Sequence, residues 1–179
     1  MKKLVCLTVV VLFANLLMSC AAAAPKLVEP GGKIGDMTVE NHVSTRITPV
    51  IWTYCDPGVP KMEPGTTTID CEIPKGVSRL TMGFGWVAKD ETFLEASLET
   101  MKWEMHIDGH QINVDAFEPT PKNWPEGPGR EWLIDLLDLT PGKHTLRQLW
   151  KTDVPLDDGF EIYPAGTYED IVNFTVPEQ

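Results

Sequence analysis

The chain has 179 residues, 42% of them hydrophobic, with 15 prolines and 14 glycines, which suits one domain with a real core. Its 26 acidic side chains outnumber 15 basic ones, for a formal net charge of -11. With no Lys/Arg cluster of useful length, that balance argues against nucleic acid and bare anionic lipid as partners.

Lys2 and Lys3 precede an apolar run from Leu4 to Leu17. The run fits the apolar centre of an export signal and is short for a membrane span, which needs roughly 20 apolar residues. It ends at Leu17-Met18-Ser19-Cys20. This ending resembles the lipobox of bacterial lipoproteins, with Met18 a departure from the usual residue at its position. The resemblance implies a signal peptide over residues 1–19, a lipid on the Cys20 thiol, and an extracytoplasmic domain anchored to a bacterial membrane; lipid anchoring is firm when two or more chains are attached. Cleavage within Ala21–Ala24 would instead give a secreted protein without Cys20.

Residues 20–35 read as a flexible tether of Ala, Pro and Gly, with a single domain over residues 36–179. Once Cys6 and Cys20 are set aside, Cys55 and Cys71 remain. An exported protein meets an oxidising compartment, so the pair is expected to form a disulfide. A zinc or redox site would want a C-x-x-C spacing or nearby histidines, and the sequence has neither.

Downstream, Pro and Gly recur between short apolar runs, the punctuation of an all-β sandwich or barrel. From Val77 to Val87, Leu80, Met82, Phe84 and Trp86 share one face, while Gly83 and Gly85 on the other leave room for something to pack closely. Asp90 can cap a short helix carrying Glu91, Phe93, Leu94 and Leu98, read as a crossover between sheets. Trp103, Met105 and Ile107 then alternate with polar residues up to Asp108-Gly109, a dipeptide suited to a two-residue type I′ hairpin. In that register Ile107 faces His110 and His106 faces Gln111. Glu131 to Leu139 is apolar on both faces and ends at Thr140-Pro141-Gly142, after which His144 to Trp150 returns antiparallel. The last strand places Tyr168, Val172, Phe174 and Val176 on one face, with Asp170 out of pattern among them. A carboxylate there needs a partner, Arg147 or an edge position.

The Trp103 strand with its Asp-Gly turn, the Leu139-Thr140-Pro141-Gly142-His144-Leu146 step and the Pro164-Ala165-Gly166-Thr167-Tyr168 entry resemble immunoglobulin-like modules of bacterial envelope proteins. The resemblance covers about the last hundred residues. It implies an immunoglobulin-like antiparallel β-sandwich with one short crossover helix, and a spacer or ligand-binding role; the fold does not imply a chemistry.

Catalytic signatures are weak. No G-x-S-x-G occurs, and His106 and His110 fall on opposite faces of their hairpin, which argues against a histidine metal site. A glycosidase would need two carboxylates at a set separation, which the sequence does not show. Asp153, Asp157, Asp158 and Glu161 cluster about Gly159 as the best candidates for a Ca²⁺ or ligand contact, without the spacing of an EF-hand loop. Among six tryptophans, Trp86, Trp103 and Trp132 sit on apolar faces and read as core. Trp124, in the proline-rich loop Pro119 to Gly129, is either a plug or an exposed ring for a ligand. The expectation is a non-catalytic binding module for a protein or glycan; a carbohydrate-binding module using Trp124 and the acidic loop is the alternative.

Overall fold

The computed structural model describes residues 26–44, 48–55 and 63–178. The leader, Cys20 and the first part of the expected tether lie outside these residues. In chain order the strands are β1 (Lys33–Ile34), β2 (Met37–Asn41), β3 (Gly65–Glu72), β4 (Arg79–Val87), β5 (Lys102–Ile107), β6 (His110–Ile112), β7 (Thr120–Asn123), β8 (Pro128–Leu137), β9 (Gly142–Thr152), β10 (Leu156–Asp157), β11 (Ile162–Tyr163) and β12 (Gly166–Val176). Helix α1 (Glu91–Thr100) stands between β4 and β5.

The strands form an all-β sandwich. One sheet runs β1-β2-β8-β4, with β7 also on β8; the other runs β3-β12-β9-β5-β6. Alternation along each strand turns Leu80, Met82, Ile134 and Leu136 of the first sheet toward Met105, Ile107, Leu146, Val172 and Phe174 of the second, all buried. Each such side chain contributes about 1.5–3 kcal/mol by leaving water. A second cluster of Trp86, Trp150, Tyr163 and Tyr168 closes one end against Leu94 and Met101.

Helix α1 is the expected crossover, since it leaves β4 in one sheet and delivers the chain to β5 in the other. Asp90 Oδ1 accepts the N–H groups of Thr92 (2.9 Å) and Phe93 (3.2 Å), satisfying two donors that the helix cannot. Arg130 fastens it to β8 through Glu91 (2.6 Å) and Glu95 (3.1 Å). The β5–β6 hairpin has the expected register, with Asp108 at φ 49° and Gly109 at φ 78°. Cys55 and Cys71 are bonded.

Four expectations are corrected. The domain begins before Asp36: Val28 bridges to Ile112 and β1 pairs with β2, because Val28 and Ile34 have apolar surface to cover. Not every pairing is antiparallel, since β3 runs parallel to β12 and continues its inner face with Ile69 and Cys71 beside Val172 and Phe174. The step at Thr140-Pro141-Gly142 is no hairpin; β8 and β9 belong to different sheets, and Asp138 (φ 56°) and Gly142 (φ 137°) turn the chain across the sandwich. Arg147 does not meet Asp170: it stands opposite Ile171, on the outer face, and bonds Glu169.

Candidate functional site: an aromatic cleft with a carboxylate in its wall

Each strand that contributes an aromatic ring to one end of the sandwich does so by alternation alone. Phe84 stacks on Trp103 with ring centroids 3.9 Å apart, and on Trp132 at 5.2 Å. Trp150 lies flat on Tyr168 at 3.7 Å and edge-on to Trp86 at 5.3 Å, which meets Tyr163 at the same distance. Such offset and edge contacts contribute about 0.5–1.5 kcal/mol each beyond burial. Beside these rings opens a cleft of about 280 Å³ lined by Trp52, Trp86, Trp103, Trp150, Tyr163 and Asp170 among others.

Polar groups in this cleft are incompletely partnered. Gln148 donates from Nε2 to the Gly83 carbonyl at 3.0 Å and ties the two sheets together. Asp170, its neighbour across the β9–β12 ladder, has no hydrogen bond or ion pair among the described residues. Burial, and then the charge of Glu169, push its carboxyl above the usual range. The buried indole nitrogens of Trp86 and Trp103 also lack acceptors among the described residues. Buried donors are rarely left so, each at a cost of about 1–3 kcal/mol, and their coincidence with an unpaired carboxylate marks this cleft off from ordinary core.

Since the folded-state value for Asp170 is the raised one, the folded chain holds the proton more tightly than the unfolded. Stability from this group is fully present below the ordinary carboxylate range and is lost as pH rises through the raised value. Asp170→Asn is therefore expected to raise the unfolding midpoint at neutral pH and to flatten its decline from acidic to neutral pH. Thermal unfolding across that range checks it; a lowered midpoint would mean that the carboxylate supports the fold.

The acidic residues of the following loop are largely occupied by the loop itself. Asp158 is buried; its Oδ1 accepts the N–H groups of Phe160 (2.7 Å) and Glu161 (2.8 Å), and its Oδ2 accepts the Tyr163 hydroxyl at 3.0 Å. Burial and this carboxylate push the Tyr163 hydroxyl far up. Asp157 Oδ1 accepts Gly159 N–H at 2.8 Å, while exposed Asp153 sits between Lys102 (3.1 Å) and Lys151 (3.3 Å), which hold its carboxyl below the usual range. Glu161 is exposed. No three His, Cys, Asp or Glu among the described residues gather closely enough to hold a metal ion. Of the four, Asp158 alone lines the aromatic cleft. Strands β10 and β11 pair as a separate hairpin around it, Leu156 opposite Tyr163, which leaves Phe160 50% and Ile162 69% exposed, with Val154 just before it at 54%.

Trp124 folds back on the outer face of the first sheet. A Cβ at Gly129 would stand 2.0 Å from Trp124 Cζ3, and one at Gly85 would stand 3.5 Å from Cη2, so these glycines form the bed for the ring. A tight turn holds it, with reciprocal bonds between Trp124 and Gly127 at 3.0 and 3.1 Å. It is half-buried and not among the residues of the aromatic cleft.

A buried polar cluster at another place in the first sheet went unread in the sequence. Asp135, 0% exposed, accepts the Thr81 hydroxyl at 2.7 Å and lies 2.9 Å from His42 Nδ1. Thr81 Oγ1 is also 3.4 Å from that same nitrogen. A hydroxyl activated by histidine needs the acid and the hydroxyl on opposite ring nitrogens. Here both approach Nδ1, so the cluster fits structural support.

No family model matches the chain, and no curated protein is similar to it. Among solved structures it is similar to a chain described as "Structure of PbICP-C in complex with falcipain-2", at 15% identity over 66% of this chain and 95% of that one, with a TM-score of 0.34. That likeness is too loose to carry function across.

Proposed function

We propose that the protein is a non-catalytic, exported binding module, held to a bacterial membrane by a lipid on Cys20, whose partner seats in the aromatic cleft. The observation that carries the binding half is that stacked aromatic rings and the Asp170 carboxylate, which has no partner among the described residues, line one opening. Concave, mostly apolar sites with a few convergent polar groups are the usual form of a ligand seat. Exposed Phe160 and Ile162 on the hairpin that walls the cleft extend its apolar rim and favour a protein over a small solute.

Trp124, outside the cleft, distinguishes a seat in the cleft from a carbohydrate site on the outer face. Ligands recovered from parallel peptide-display and glycan-array screens of the full chain are expected to bind Trp103→Phe about tenfold more weakly, a difference of about 1.4 kcal/mol, and Trp124→Ala unchanged. The reverse pattern would move the site to the outer face. For the anchor, Cys20→Ser is expected to shift the protein from the membrane to the soluble fraction and to abolish labelling by radioactive palmitate. A variant that stays with the membrane, or a wild type that takes no label, would remove it.

A further inference from the structure

Strand β4 ends its sheet, and its free edge opens on the cleft: residues from Gly83 to Val87 all contribute to the lining. In an antiparallel pair, backbone groups alternate between facing the partner strand and facing away. Ala88 donates to Pro128 of β8's strand at 3.0 Å, so even-numbered residues face β8 and odd-numbered ones face outward. The outward set begins and ends occupied. Thr81 N–H reaches the Pro49 carbonyl at 2.8 Å, where Val50 runs parallel to β4, and Lys89 N–H reaches the Asp158 carbonyl at 2.9 Å. Between them the Gly83 carbonyl takes Gln148. Among the described residues β4 pairs with β8 alone over Gly83 to Val87, so the outward N–H groups of Gly83, Gly85 and Val87 and the outward carbonyls of Gly85 and Val87 have no partner strand.

Proteins ordinarily blunt such an edge with lysine, proline or a bulge, whereas β4 offers glycines here. We infer that the occupant of the cleft is an extended peptide segment of a protein partner, which adds a strand of about five residues to β4 and places a basic side chain over Asp170. This rests on the cleft being the binding seat. A basic side chain is expected because Asp170 is a carboxylate without a cation, in a chain of net charge -11. Arginine fits better than lysine, because its flat guanidinium can pair with the carboxylate while stacking on Trp103 or Trp150.

The test uses peptides selected on the full chain from a random display library and resynthesised with a methyl group on each backbone nitrogen in turn. Methylation is expected to weaken binding about tenfold or more at every second position, because only alternate amides face β4. Selected peptides are expected to share an Arg or Lys at one fixed position, and Asp170→Asn to erase that preference. Binding that depends on Trp103 but is indifferent to methylation at all positions overturns strand addition and leaves the cleft reading standing. Binding indifferent to both Trp103→Phe and Asp170→Asn overturns the cleft reading itself. A screen that yields glycans and no peptides, or self-association of the chain through β4, overturns the peptide assignment.

Discussion

Asp135→Ala is expected to cost about 2–4 kcal/mol, because it removes the acceptor at the centre of a buried polar cluster and leaves a cavity. Asp135 is fully buried, and Thr81, 1% exposed, spends its hydroxyl on it at 2.7 Å. Alanine would leave that hydroxyl and His42 facing a cavity, adding desolvation and lost packing together. Strand β8 carries this side chain between β2 and β4, where Asp135 stands opposite Glu40 and Thr81. The loss therefore falls on the centre of the first sheet. Urea unfolding with an unchanged m-value and a strongly lowered midpoint is the expected result. A loss below about 1 kcal/mol, the size of an ordinary exposed contact, would show the cluster to be incidental.

Gly83→Ala is expected to be comparably damaging, at about 3 kcal/mol or more, through overpacking against atoms that cannot give way. An added Cβ would stand 2.0 Å from the Trp132 carbonyl oxygen and 3.1 Å from Leu133 Cα. Both are backbone of the paired strand, so β4 would have to draw off β8. That movement would separate Met82 from Ile134 and Phe84 from Trp132, and break the 3.0 Å bond from Gln148. Gly85→Ala is the internal control. Its nearest contacts are the Arg130 carbonyl and Glu131 Cγ, both at 3.2 Å, so a shift of a few tenths of an ångström suffices and the loss should stay near 1 kcal/mol. Equal losses at the two positions would contradict the geometric account.

Much of the β architecture could be read in advance where local chemistry has one solution. Asp108-Gly109 supplies the positive φ angles of a two-residue hairpin, and the pairing of Ile107 with His110 follows from it. Asp90 before an amphipathic decapeptide leaves little else than a capped helix. The glycines of β4 announced close packing, though the neighbours, the Trp132 backbone and the Trp124 ring, were not nameable. Turn chemistry at Thr140-Pro141-Gly142 indicates a reversal but not whether the next strand stays in the same sheet, and that is where the hairpin reading failed. Asp135 hides because a single carboxylate in an alternating strand reads as solvent-facing unless its cover is known. The cleft was harder still. Trp86 and Trp103 satisfy the pattern of a core residue, and a gap between large rings is a property of their packing. Asp170 was the one visible signal: out of pattern on an apolar face, and left without the cation sought for it.

The central claim, that the partner seats against the indoles of the cleft, is tested most directly by following the indole ¹⁵N–¹H resonances of the full-length protein in detergent while a selected peptide is added. Trp86 and Trp103, whose donors lack acceptors in the free protein, are expected to move downfield together and with the same saturation curve, while Trp124 stays in place. A titration that shifts Trp124 and leaves both cleft indoles where they were would contradict the account.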